Sequence, residues 1–62
     1  MQDVGVVWQK AEQVFGDKGK AAVWLSTPKH MFGGLTAIDF VKDHKTLERV
    51  MVVLVQIEHG YP

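Results

Sequence analysis

The sequence predicts an all-α fold: a small bundle of about four short helices, read as one domain over residues 1–62. Three observations carry that reading. Apolar residues recur at helical spacing near both ends of the chain. Cap-forming side chains and glycines stand where those periodic stretches begin and stop. The run Val50 to Val55, where a strand would be sought first, shows no alternation at all.

The first helix is expected from about Asp3 to Phe15. Val4, Val7, Trp8, Ala11, Val14 and Phe15 fall at i, i+3, i+4, i+7, i+10 and i+11, which is one helical face. Asp3 offers an N-cap, and Gly16 stands where a left-handed terminator is wanted. Asp17 caps a second helix from about Lys18 to Leu25. Gly19 weakens it, whereas Ala21, Ala22, Trp24 and Leu25 favour or fill it. Ser26-Thr27-Pro28 ends it, because the residue before a proline is pushed out of the α region.

Lys29 to Leu35 reads as a loop with room for a single turn, and Gly33-Gly34 tolerates positive φ and close backbone approach. Thr36 and Asp39 form a pair like a capping box that opens a third helix running through Lys42. Ile38 and Val41 share its inward face, with Phe40 beside them. Asp43 caps a fourth helix that runs to about His59, with Gly60 just past its end. Valine favours strands, but Leu47, Val50, Met51, Leu54 and Ile57 fit the helical template, and Glu48 and Arg49 are good helix formers.

On a wheel, the apolar residues of this last helix cover roughly 200° of arc, against about 100° for an ordinary surface helix. Three other short helices have little area with which to cover that much. The plain reading is that every valine is core. The alternative is a shared surface that includes Val52, Val53 and Val55, because a large exposed apolar patch marks an interaction site.

Composition narrows the function classes. A chain of 62 residues buries only about 60% of its unfolded surface, so stability without a staple or partner is marginal. There is no cysteine, which removes disulfides and thiolate zinc sites and suits a reducing compartment. Seven basic and seven acidic side chains cancel, which argues against direct nucleic-acid binding. The longest apolar run, Val50 to Val55, is six residues, far below the roughly 20 needed to span a bilayer. With no cationic, apolar leader after Met1, a cytoplasmic protein without membrane attachment is expected.

Catalytic and metal constellations are not found. His30, His44 and His59 stand 14 and 15 residues apart, without the spacing of a zinc motif. His44 and Glu48 at i, i+4 read as a surface hydrogen bond. Ser26 lies in a helix-ending turn with no nucleophile elbow around it. Gly16-Asp17-Lys18-Gly19-Lys20 lacks the spacing of a phosphate-binding loop and follows a helix, so it reads as a helix-to-helix turn. Asp39 and Asp43 read as caps. No cofactor, metal or enzymatic activity is expected. Trp8 and Trp24 read first as core packing and second as interface anchors. Tyr61, past the last cap, is as suited to partner contact as to solvent.

Several short motifs in order resemble one family. They are Val14-Phe15-Gly16-Asp17; Ala22, Trp24, Leu25, Thr27 and Pro28; Gly33-Gly34; and Val50, Leu54, Ile57 and His59-Gly60. The stretch from about Ala11 to Tyr61 is similar to the toxin-binding domain of Xre/MbcA/ParS-type antitoxins. The chain departs from the family pattern at Lys29, Leu35, Ala37 and Lys45. The resemblance implies binding to a RES-type toxin that uses NAD, and inhibition by occlusion of its active site. It also implies that Glu58, His59, Gly60 and Tyr61 plug or flank the toxin's pocket. The loop residues Pro28, Lys29, Gly33 and Gly34 become secondary contacts. In that family a helix-turn-helix usually precedes this domain; none is read within this chain.

Two rival readings remain. In one, the surface at Val52, Val53 and Val55 pairs two copies of the chain as a homo-oligomerisation or regulatory module without a toxin; with a toxin as partner, a homodimer or hetero-oligomer is expected. In the other, a small DNA-binding domain, the second and third helices mimic a helix-turn-helix against the neutral charge.

Overall fold

A computed structural model describes residues 4–60. Among them lie four α-helices and one 3-10 turn, with no strand. Helix α1 spans Val4–Phe15, α2 Lys18–Ser26, α3 Ala37–Phe40 and α4 His44–Glu58, and the 3-10 turn is His30–Phe32. Helix α1 packs against both α2 and α4, while α3 bridges α2 to α4.

The breaks between elements are chemical. Gly16 takes φ +69° and donates its N–H to the Glu12 carbonyl at 2.8 Å, closing α1. The Asp17 carboxylate then accepts from the Lys20 N–H at 2.8 Å and opens α2. Thr27 is extended, as the following proline requires. Ser26 is carried into α2, one residue past the expected end, with its hydroxyl donating back to the Ala22 carbonyl. The proposed Asp3 cap lies outside the described residues.

The expected loop contains its turn. Lys29 donates its N–H to the Leu35 carbonyl at 3.0 Å, and Gly34 donates to the Lys29 carbonyl at 2.9 Å, so the segment closes on itself. Gly33 and Gly34 both hold positive φ, +67° and +87°. The closure turns Phe32 inward until it is 1% exposed.

Helix α3 is shorter than expected, ending at Phe40 rather than Lys42. A helix carried to Lys42 would send the Lys42 N–H to the Ile38 carbonyl. The Thr46 hydroxyl accepts it instead at 2.9 Å, together with the Asp43 N–H at 3.0 Å. The start of α4 thus competes for the donors that would extend α3. At the other end of α3, Thr36 accepts from the Asp39 N–H at 3.0 Å, which is half of the expected reciprocal box. No returning bond from the Thr36 N–H to the Asp39 carboxylate is present among the described residues. The complete box belongs to Asp43 and Thr46.

Among the described residues, the fully buried set is Val7, Ala11, Ala21, Leu25, Phe32, Ala37, Val50 and Leu54. Three of these eight are alanines, which lets backbones approach closely but adds little apolar area. Aromatic rings supply the bulk. Phe15 meets Trp24 at 6.0 Å, Trp24 meets the edge of Phe32 at 6.2 Å, and Phe32 stacks on Phe40 at 4.7 Å. One ring each from α1, α2, the 3-10 turn and α3 forms this relay. Trp8 also packs against the core, so both tryptophans are partly buried packing residues.

Candidate functional site

Helix α4 carries more apolar surface than the bundle covers. Val50 and Leu54 are sealed, and Leu47, Met51 and Val53 lie partly buried against the core. Val52 and Val55 stay 50% and 39% exposed. Of the three valines expected to share an outer surface, Val53 therefore turns toward the core and separates from the other two. Around Val52 stand Lys45, Glu48 and Arg49, a charged rim about a single apolar residue. His44 and Glu48 are both exposed, and no hydrogen bond joins them among the described residues, contrary to expectation.

The end of α4 is an exposed, well-formed terminus. His59 donates its N–H to the Val55 carbonyl at 3.1 Å, and Gly60 donates to that of Ile57 at 3.0 Å. Gly60 takes φ +74°, the left-handed conformation that terminates a helix. Glu58, His59 and Gly60 are all exposed. Glu58 has a role the sequence reading missed: its carboxylate meets the Lys10 ammonium at 2.9 Å and ties the end of α4 to α1. Both side chains are partly shielded from solvent, at 19% and 33% exposure, yet such pairs contribute only a few tenths to about 1 kcal/mol. Tyr61 lies outside the described residues.

The loop residues form a second exposed region. Pro28, Gly33 and Gly34 face solvent. A methyl group built on Gly33 or Gly34 would meet nothing within 4 Å, so their backbone is open to an approaching surface. Met31 and Leu35 flank the glycines at 53% and 47% exposure. Lys29 behaves differently. Its ammonium lies 4.9 Å from the centre of the Trp24 ring, a cation–π contact, and desolvation by burial lowers its pKa.

That lysine borders an open apolar groove whose floor is Phe15, Val23 and Trp24, with Lys20 on the rim. The sequence reading missed Val23, which is 65% exposed. A helical wheel contains the signal. Val23 lies about 160° from Leu25, the residue that faces the core, so the run Ala21 to Leu25 cannot all point inward.

At the start of α4, the Asp43 carboxyl is held below its ordinary pKa, first by the Thr46 backbone N–H and then by its side chain. Among the described residues no three of His, Asp and Glu gather where a metal ion could be held. No helix there is long and apolar enough to cross a membrane. The exposed features are surfaces suited to contact with another macromolecule.

Comparison with known proteins bears on which macromolecule. Residues 10–60 match the family model described as the antitoxin Xre/MbcA/ParS C-terminal toxin-binding domain. The chain is also 45% identical over 51 residues to a protein named Antitoxin Xre from Pseudomonas putida (strain KT2440). That alignment takes in 82% of this chain and 32% of the relative, so the chain spans about a third of the relative's length. No solved structure matches it.

Proposed function

Because the chain belongs to the Xre/MbcA/ParS C-terminal toxin-binding family, we propose that it neutralises a RES-type, NAD-using toxin by covering the entrance to that toxin's active site. The proposed plug is Glu58, His59, Gly60 and Tyr61, with Pro28, Lys29, Gly33 and Gly34 as secondary contacts. Such a pair would work in the cytoplasm, where a chain without cysteine is at no disadvantage. Inhibition of this kind needs no cofactor, and DNA binding is not assigned to these residues.

The exposed terminus of α4 is the observation that carries the reading. Main-chain bonds and the Lys10–Glu58 pair hold it in place, and Glu58, His59 and Gly60 are exposed. A plug on a fixed base loses less freedom on docking than a floppy tail. A chain cut after Glu58 keeps that ion pair, so it isolates the last four residues from the fold. The cut chain is expected to retain its helical circular dichroism and to lose protection of cells expressing the toxin. Full protection by the cut chain would remove the plug.

A second reading rests on Val52 and Val55, whose exposure suits an apolar contact between two copies of the chain. Val52→Glu would then turn a sedimenting dimer into a monomer. An unchanged sedimentation coefficient would leave those valines to another partner.

A further inference from the structure

The groove floored by Phe15, Val23 and Trp24 shares only Lys29 with the proposed contacts. Its edges are cationic. Lys10–Glu58 is the one ion pair among the described residues, so neither Lys20 nor Lys29 has a carboxylate partner there. Lys29 spends its ammonium on the Trp24 ring and on a long contact, 3.4 Å, to the Thr27 carbonyl. Asp17, the acid on the rim, has one carboxylate oxygen committed to the Lys20 backbone N–H that it caps. An apolar floor between two unpaired lysines is complementary to a peptide segment with an apolar side chain beside an acidic one.

We infer that this groove receives an acidic segment of the partner toxin, one apolar side chain lying on Val23 and Trp24 while a neighbouring carboxylate meets Lys29 and Lys20. The assignment rests on the toxin-binding reading and adds to it a second anchor, built on α2 and separate in sequence from the turn after α4. Lys29 is well suited to the task. It is already held over a ring, so it gives up less freedom than a free surface lysine when it pairs. Desolvation by burial lowers the pKa of Lys29, and a docked carboxylate would favour its charged form. A stacked nucleic-acid base fits the site less well. Seven basic and seven acidic side chains cancel over the chain, so no basic stripe continues from the groove to follow a phosphate backbone.

The test is calorimetric titration of the purified chain, and of two variants, into its proposed RES-type toxin, at low and high salt. Val23 is mostly exposed, so Val23→Glu should leave the circular dichroism spectrum unchanged; it is expected to weaken binding at least tenfold. Lys20→Gln, which leaves the proposed loop contacts untouched, is expected to weaken binding and to flatten its salt dependence. Wild-type affinity in both variants, with the unaltered chain binding well, would overturn the groove and leave the toxin-binding reading standing. Failure of the unaltered chain to bind would overturn that reading and the groove with it. A short DNA duplex that competes with the toxin for the unaltered chain, but not for Val23→Glu, would reassign the groove to nucleic acid and overturn the proposal.

Discussion

Phe32 sits at the centre of the aromatic relay. It is sealed at 1% exposure and touches the rings of both Trp24 and Phe40. Phe32→Ala removes the centre of that relay and is expected to cost about 3–5 kcal/mol, a large part of what so short a chain can hold. Urea titration followed by circular dichroism should show the loss, whereas its exposed neighbour Met31→Ala should stay within about 0.5 kcal/mol of the parent. Gly33 supplies the turn that aims Phe32 inward. A side chain there meets open space but must adopt φ +67°, so Gly33→Ala is expected to cost about 1 kcal/mol through backbone strain alone. The glycine pair was legible in the sequence, since only a turn of this kind needs two residues tolerant of positive φ. The burial of Phe32 was not. It depends on rings brought together from four elements, and local periodicity contains no information about such contacts. Val23 lies between these cases: its outward direction follows from helical geometry, but the groove it forms needs Phe15 from another helix.

Among the elements, α4 shows how a cap sets a boundary on both sides. The Thr46 hydroxyl accepts from Lys42 and Asp43, and the Asp43 carboxylate accepts from Thr46. Thr46→Val keeps the shape and removes the hydroxyl acceptor, leaving the backbone N–H that Asp43 caps. It is expected to cost roughly 1–2 kcal/mol and to speed amide exchange at Lys42 and Asp43, as two-dimensional NMR would show. Asp43 also makes this cap sensitive to acid. Its pKa is lower in the folded chain than its ordinary value of 3.8, so the carboxylate favours folding. That contribution is fully present above the unfolded pKa and disappears as pH falls through the folded one. Asp43→Asn keeps an oxygen acceptor without the charge, so the Asp43 share of the stability loss below about pH 4 should vanish from acid titrations of the variant. The position of this cap was readable from Asp43 followed by a helical pattern. The early end of α3 was not, because it is decided by a threonine six residues beyond Phe40 that competes for the same donors. The family resemblance also reached further than the bare pattern: the order of Val-Phe-Gly-Asp, Trp-Leu, Gly-Gly and His-Gly motifs named a toxin-binding domain, which periodicity alone could not do.

For the molecule as a whole, the thin core and the leftover surface belong together. Three alanines among the eight sealed residues bring the helices close at the expense of buried area, and apolar side chains stay outside at Val6, Val23, Met31, Leu35, Val52 and Val55. A chain built this way gains stability from whatever covers it. A partner at a hundred times its dissociation constant adds about 2.7 kcal/mol, so the thermal midpoint of the complex should exceed that of the free chain by several degrees in scanning calorimetry. The manner of inhibition separates a covering surface from a partner bound elsewhere on the toxin. The most direct measurement is the steady-state rate of NAD consumption by the proposed RES-type toxin, recorded over a range of NAD concentrations with rising amounts of this chain. Occlusion predicts that the chain raises the apparent KM for NAD and leaves the maximal rate unchanged. A fall in maximal rate at constant KM would mean that the toxin's entrance stays open, and would contradict the account.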